Sequence, residues 1–136
     1  MTDRQTIENL LEEFYAARVR GDLAAIGNLF AESADFQIAG SDRASPLPVS
    51  VRGKPGILAL MQNMISAFEL SDFNVLEMLI DGDQAAVRWH ATVYHTKSRQ
   101  MFRTELADFI TINAGKIASF IEFLDTALAA KVLAAR

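Results

Sequence analysis

Residues 101–124 read MFRTELADFITINAGKIASFIEFL, and the alternation in this stretch decides the fold. From Met101 to Ile112, and again from Ile117 to Leu124, apolar side chains recur at every second position, the period of a strand. On the first run the even positions carry Phe102, Thr104, Leu106, Asp108, Ile110 and Ile112, so an acid interrupts the more apolar face. Asn113-Ala114-Gly115 between the runs suits a three-residue hairpin loop with Gly115 in the left-handed position. That register pairs Ile112 with Lys116, sets Asp108 opposite Phe120 and Leu106 opposite Glu122, and puts both acids on one face of the sheet. A carboxyl group on a face built for burial is a chemical clue, because burial of a charge is costly unless something compensates it.

Working outward, Ala85 to His95 alternates in the same way. Asp81-Gly82 is a two-residue hairpin signal leading into it, and Phe73 to Ile80 reads as the strand before. The N-terminal half has the helical period instead. Thr2 and Gln5 stand at capping-box spacing ahead of Ile7, Leu10, Leu11 and Phe14, which predicts an amphipathic helix that Gly21 ends. Asp22 can cap a short second helix with Leu23, Ile26, Leu29 and Phe30 on its buried stripe. Ala34 to Ala39 reads as a first strand, residues 40–48 as a polar, Pro-containing loop at the rim, and Val49-Ser50-Val51 as a short run. Pro55 opens a third helix carrying Leu58, Met61, Ile65 and Phe68. Asp125 can cap an Ala-rich tail over 126–136. Helices ahead of a mostly antiparallel sheet make a single α+β domain over 1–136, with helices on one face and a pocket between them and a strongly curved sheet.

Composition narrows the function classes. The chain has 136 residues, no cysteine, 17 acidic against 13 basic side chains and a net charge of -4. A core large enough to fold without staples is expected, and disulfides, thiolate metal sites and thiol nucleophiles are excluded. With no basic cluster, nucleic acid is not an expected partner. No apolar run approaches the roughly 20 residues that span a bilayer, so the expectation is a soluble, cytoplasmic protein without a membrane partner. No serine-nucleophile motif, phosphate-binding glycine loop or dinucleotide fingerprint is present.

The helix end and restart Arg20-Gly21-Asp22-Leu23, the segment Leu29-Phe30-Ala31-Glu32-Ser33-Ala34, the entry Arg52-Gly53-Lys54 and the closing Gly115-Lys116-Ile117 occur in an order and spacing that resembles the nuclear-transport-factor-2-like superfamily, on its SnoaL-like and ketosteroid-isomerase-like side. The resemblance spans nearly the whole chain. It implies a cone-shaped curved antiparallel sheet wrapped on the N-terminal helices, of the cystatin-like type, and a pocket lined by Trp89, Ala91, Val93, His95, Phe120, Glu122 and Leu124. In ketosteroid isomerases an aspartate base works with an oxyanion hole made by a tyrosine and a protonated aspartate. By that resemblance the tyrosine position falls on Phe14 and the base position on Ile38, both inert, whereas the protonated aspartate has its counterpart in Asp108. Steroid isomerisation by that mechanism is therefore not expected, and Phe14 and Ile38 become ligand-contacting positions.

Asp108 and Glu122 can serve as a general acid and base, since burial raises a carboxylic pKa and two close acids push their values apart. The competing reading is structural, with one or both paired to an arginine or a backbone donor. His95, on the pocket side by resemblance, could pass a proton to either acid or be merely solvated. His90 falls on the opposite face, so the two histidines cannot share a metal, and neither a metal nor a cofactor is expected. Trp89 can be core or a platform for a ring. Tyr15 and the methionines Met61, Met64 and Met78 read as packing, and Asp35 and Asp42 as solvated. No arginine is evidently placed to neutralise both acids, so at least one, Asp108 first, should stay protonated near neutral pH, with Glu122 or His95 as the partner base. The function expected is cofactor-independent acid/base chemistry on a small, largely apolar organic molecule, with isomerisation, cyclisation, dehydration and epoxide hydrolysis open. The alternative is a non-catalytic ligand-binding or dimerisation module. The outward positions Arg88, His90, Thr92, Tyr94, Arg103, Glu105 and Phe109 form a mixed face suited to a homodimer.

Overall fold

The computed structural model describes residues 2–40 and 49–134. Elements follow in the order α1 (Arg4–Arg20), α2 (Leu23–Leu29), β1 (Phe30–Ile38), β2 (Val49–Arg52), α3 (Lys54–Ala67), β3 (Phe68–Asp81), β4 (Gln84–His95), β5 (Gln100–Asn113), β6 (Lys116–Phe123) and α4 (Thr126–Ala134). The rim loop expected at residues 40–48 lies, apart from Gly40, outside the described residues, as does Asp42.

Three of the four described helices start where a side chain satisfies a free N–H group, whereas α3 follows Gly53 and has Pro55 in its first turn instead. Asp3, not Thr2, caps α1: its Oδ1 accepts from the Thr6 amide at 3.0 Å and its Oδ2 from the Thr6 hydroxyl at 2.9 Å. Thr2 is used elsewhere. Its amide donates to Asp83 Oδ1 at 3.0 Å and its hydroxyl oxygen accepts from the Gly115 amide at 3.3 Å. With Arg4 Nη1 donating to the Ile80 carbonyl, the start of the chain ties together the β3–β4 and β5–β6 turns. Gly21, at φ +74°, closes α1 in the left-handed conformation, and Asp22 Oδ1 caps α2 through the Ala25 amide at 3.0 Å.

The sheet is six-stranded, curved and unclosed, in the order β2-β1-β6-β5-β4-β3, and every pairing is antiparallel except β1 with β6. β1 begins at Phe30, four residues ahead of the expected start, because Phe30 pairs with Ile117 on β6. β3 likewise starts at Phe68 rather than Phe73, drawn into the sheet by a long pairing with β4 that sets Phe68 opposite His95. The β3–β4 turn is centred on Gly82-Asp83, one residue later than expected, since Asp81 pairs with Gln84.

The β5–β6 hairpin differs from expectation in a way that matters for the acids. Its turn has two central residues, Ala114 at φ +50° and Gly115 at φ +75°, so Asn113 pairs with Lys116. Two successive positive φ values are the mark of a type I′ turn, whose twist matches that of the strands. A bulge then places one extra residue, Ala118, on β6 between the Ile112–Ile117 and Thr111–Ser119 pairs. Turn and bulge together shift the pairing by two positions, which preserves the face of every side chain but changes its neighbour. Phe120 therefore faces Ile110, and Glu122 faces Asp108 directly.

The core lies between the concave sheet face and the helices. Ile7, Leu11 and Phe14 of α1, Ile26 of α2, and Ile57 and Met61 of α3 meet Phe36, Ile110, Ile112, Ile117 and Phe120 of the sheet. Phe36 stacks on Phe120 at 4.8 Å between centroids, and Phe14 packs on Phe120 at 5.0 Å. Each such aromatic buries on the order of 150–250 Å², which sets α1 firmly across the sheet.

Candidate active site

α1 lays one stripe of side chains along the sheet, and the stripe changes character toward its C-terminus. Ile7, Leu11 and Phe14 are apolar, whereas Tyr15 and Arg18 are polar and equally buried. Opposite Tyr15, β4 presents Trp89 and β5 presents Asp108, both held inward by the strand alternation. Tyr15 donates its hydroxyl proton to Asp108 Oδ2 at 2.5 Å, and Trp89 Nε1–H donates to the same oxygen at 2.7 Å. Phe73 of β3 stacks on Tyr15 at 5.4 Å and contacts Trp89 at 5.2 Å, so both donors are held by aromatic packing.

Asp108 is wholly enclosed, and its Oδ1 has no hydrogen-bond donor among the described residues. An ionised carboxylate there would bear an unsatisfied charge. Glu122, the register partner of Asp108, offers a way out: a proton on Asp108 can be donated to the Glu122 carboxylate across the strand pair. Burial, followed by the repulsion of Glu122, holds the Asp108 pKa well above the usual carboxyl range, although the Tyr15 and Trp89 hydrogen bonds pull the other way. Burial also raises Glu122, but the hydrogen bond from Asp108 and the charge of Arg18 oppose it. Of the pair, Asp108 is pushed further toward the protonated form. Tyr15 is raised well above an ordinary phenol, first by burial and then by the charge of Asp108.

Beside this set lies a cavity of about 120 Å³, lined by Phe14, Tyr15, Arg18, Ile38, Met61, Met64, Phe68, Leu70, Trp89, Val93, Phe102, Thr104, Leu106, Glu122 and Leu124, with Asp125, Leu128 and Ala129 bordering it from the start of α4. Glu122 and Tyr15 reach its wall, whereas Asp108 sits behind Tyr15 and Trp89. Of the positions singled out from the sequence, Phe14, Ile38, Trp89, Val93, Glu122 and Leu124 line it. Ala91 and Phe120 are buried without lining it.

His95 stands apart. It is roughly 27 Å along β4 from Val87, the residue opposite Asp108, at about 3.4 Å per residue. Its ring stacks on Phe68 at 5.0 Å and its Nδ1 meets Ser98 Oγ at 2.6 Å, which makes it part of the β4–β5 turn and not a proton partner of either acid.

Two residues of the site escape the sequence reading. Resemblance put the tyrosine position at Phe14 and left it inert, but the phenol is supplied one residue later, by Tyr15. The expectation that no arginine faces the acids is corrected by Arg18, whose charge acts on Glu122. A sequence signal for Arg18 existed: it follows Phe14 by four residues and Leu11 by seven, and so lies on the buried stripe. A basic residue in the last turn of a helix is, however, favoured by the helix dipole anyway, and that masks the signal.

The architecture defines the nuclear-transport-factor-2-like class of cone-shaped α+β domains. Within it, the model of the SnoaL-like domain matches residues 11–120, and the chain belongs to that family. It is similar to an NTF2-like protein from Burkholderia xenovorans LB400, with 26% identity, 97% of this chain and 98% of that chain covered, and a TM-score of 0.82. A candidate isomerase from Bacillus subtilis is 16% identical, with 100% and 98% covered and a TM-score of 0.86. An LEH-like epoxide hydrolase from M. tuberculosis is 12% identical, with 95% and 90% covered and a TM-score of 0.75. The last two likenesses show the fold alone. None of the curated proteins matches the chain. Among the described residues no helix is long and apolar enough to cross a membrane.

Proposed function

We propose that this protein is a cofactor-independent acid/base enzyme that moves a proton on a small, largely apolar organic molecule. The carrying observation is that two carboxyl groups are register partners, Glu122 on the cavity wall and Asp108 behind it, with a phenol bridging Asp108 to the same wall. Ionised Glu122 is the base. It takes a proton from a carbon next to a carbonyl-type group and returns it elsewhere on the same molecule. The negative charge that develops on the ligand oxygen is met by Tyr15, whose single hydroxyl proton turns from Asp108 Oδ2 to the ligand while the Trp89 N–H continues to hold that carboxyl oxygen. Isomerisation is the simplest outcome of such a cycle, and dehydration or cyclisation needs only a different leaving or attacking group on the ligand. Neighbours of the fold described as an isomerase and an epoxide hydrolase support the reading at the level of fold.

A second reading, a ligand-binding module without catalysis, is favoured by one observation: Asp108 does not reach the cavity. Hydrogen–deuterium exchange at the α-carbon of a cyclic ketone such as cyclohexenone, followed by NMR, separates the two. An enzyme exchanges the position and loses about 10²-fold or more of that rate in Glu122→Gln; a binding module retains the ketone and exchanges nothing above the buffer rate.

We also propose a homodimer through the outer sheet face. Phe109 and Phe123, 51% and 48% exposed, meet edge to face at 5.7 Å on the side away from the cavity, and Arg88 beside them is held by Glu77 and Glu105. An aromatic pair within a fixed charge network suits the centre of a symmetric interface.

A further inference from the structure

Arg18 is only 8% exposed, and the one opposite charge that acts on it, that of Glu122, is not in contact with it. Its Nη2 donates to the Met64 carbonyl at 3.3 Å and to the Phe68 carbonyl at 2.8 Å, closing the C-terminal end of α3. Both acceptors are neutral, and among the described residues no carboxylate lies within ion-pairing distance of the guanidinium. Nε and Nη1 have no partner there either. Yet Asp108 Oδ1 is the one fully enclosed side-chain polar atom left without a partner among the described residues, so those two nitrogens are reachable, and the surface next to them is the cavity wall that Arg18 helps to form. A desolvated guanidinium with free donors and no contact counter-ion is costly, and an anion in the cavity removes the cost.

The lining narrows the anion. Apart from Arg18 the cavity has no cationic side chain among its described residues, while Glu122 and Asp125 add negative groups. A dianion such as a phosphate ester would add two charges to this already negative wall, where a monoanion adds one. A carboxylate is a monoanion, and its two coplanar oxygens match the planar guanidinium. Apart from Tyr15 and Thr104 the remaining walls are apolar side chains around about 120 Å³, close to the ~150 Å³ apolar cavity that accepts benzene. That is room for roughly one ring.

We propose that Arg18 anchors the carboxylate of a small, single-ring monocarboxylic acid whose apolar body fills the cavity. This rests on the acid/base reading and names its substrate class. Tyr15 precedes Arg18 by three residues on α1, so the two side chains stand on one face with Cβ atoms about 5–6 Å apart. A carboxylate held by Arg18 therefore brings the adjoining carbons past the phenol and Glu122.

Calorimetric titration of the full chain with benzoate and with benzamide, an uncharged molecule of the same shape, tests this. Benzoate should bind about tenfold or more tighter, and Arg18→Met should erase the difference by weakening benzoate far more than benzamide. Because Arg18 also closes α3, the variant could unfold; the wild-type Arg18 Nε–H resonance, which should shift with benzoate and not with benzamide, then decides. Equal affinity for the two probes, or an unmoved Arg18 resonance, would overturn the carboxylate anchor and leave the pocket reading standing. Binding of neither probe at millimolar concentration would overturn both.

Discussion

Asp108 and Glu122 are register partners on adjacent strands, and the phenol of Tyr15 and the indole of Trp89 both donate to the oxygen of Asp108 at 2.5 and 2.7 Å. One carboxyl group is thus saturated by donors on one side and faces a second carboxyl on the other. A proton on Asp108, donated toward Glu122, relieves the repulsion between them.

The stability of the protein should accordingly depend on pH through Asp108. Its pKa is raised on folding, so the native chain binds a proton that the unfolded chain has released. That contribution is complete below the unfolded carboxyl pKa of about 4, and declines as pH rises toward the raised native value, by up to about 1.4 kcal/mol per pH unit. Asp108→Asn, neutral at every pH and still able to accept from Tyr15 and Trp89, should flatten this slope in urea titrations between pH 4 and 8. A variant as steep as the wild type would place the linkage elsewhere.

Asp108→Ala has the opposite character. It strands the buried Tyr15 O–H and Trp89 N–H, at about 1–3 kcal/mol for each unsatisfied group. The drop in unfolding free energy should exceed that of Asp108→Asn at neutral pH, and quenching or a shift of Trp89 fluorescence should report the lost partner.

The two neighbours of Asp108 should move its pKa in opposite directions. Tyr15→Phe removes a hydrogen bond that favours the carboxylate, and so raises the value further. Glu122→Gln removes a repelling charge and lowers it, though not to the ordinary range, because burial remains the largest cause. Carboxyl carbon NMR across a pH series measures both shifts directly.

At the β5–β6 turn, Ala114 holds φ +50° at the first of two positions that favour Asn or Gly. Ala114→Asn should relieve left-handed strain and raise stability by roughly 0.5–1 kcal/mol, seen as a higher midpoint in thermal unfolding.

For the assembly, Phe109→Lys combined with Phe123→Glu should convert a dimer to a monomer by light scattering at micromolar concentration. A wild-type monomer under those conditions removes the proposed interface.

What was legible from sequence follows from periodicity. Strand alternation places Asp108 and Glu122 on the buried face, and the two-residue shift of register preserves that face where a one-residue slip would not. Their direct opposition was not legible: it depends on a type I′ turn and on the Ala118 bulge, and neither Ala114 nor Ala118 has side-chain chemistry that announces it. The long β1 and β3 were underestimated because Phe30 and Phe68 fit the helical stripe before them equally well, and only pairing with Ile117 and His95 decides between the two. Tyr15 read as core since its ring is core; only the last atom of the side chain has a chemical role.

The tie made by Thr2 and Arg4 has a mechanical meaning. Those two residues pin both hairpin turns at one end of the sheet, while the cavity extends toward the other, where Val93, Phe102 and Thr104 lie. The cone is clasped at its tip like tweezers at the rivet, so Trp89 and Asp108, set nearer that clasp, are expected to hold their amide hydrogens against exchange longer than Val93 and Phe102.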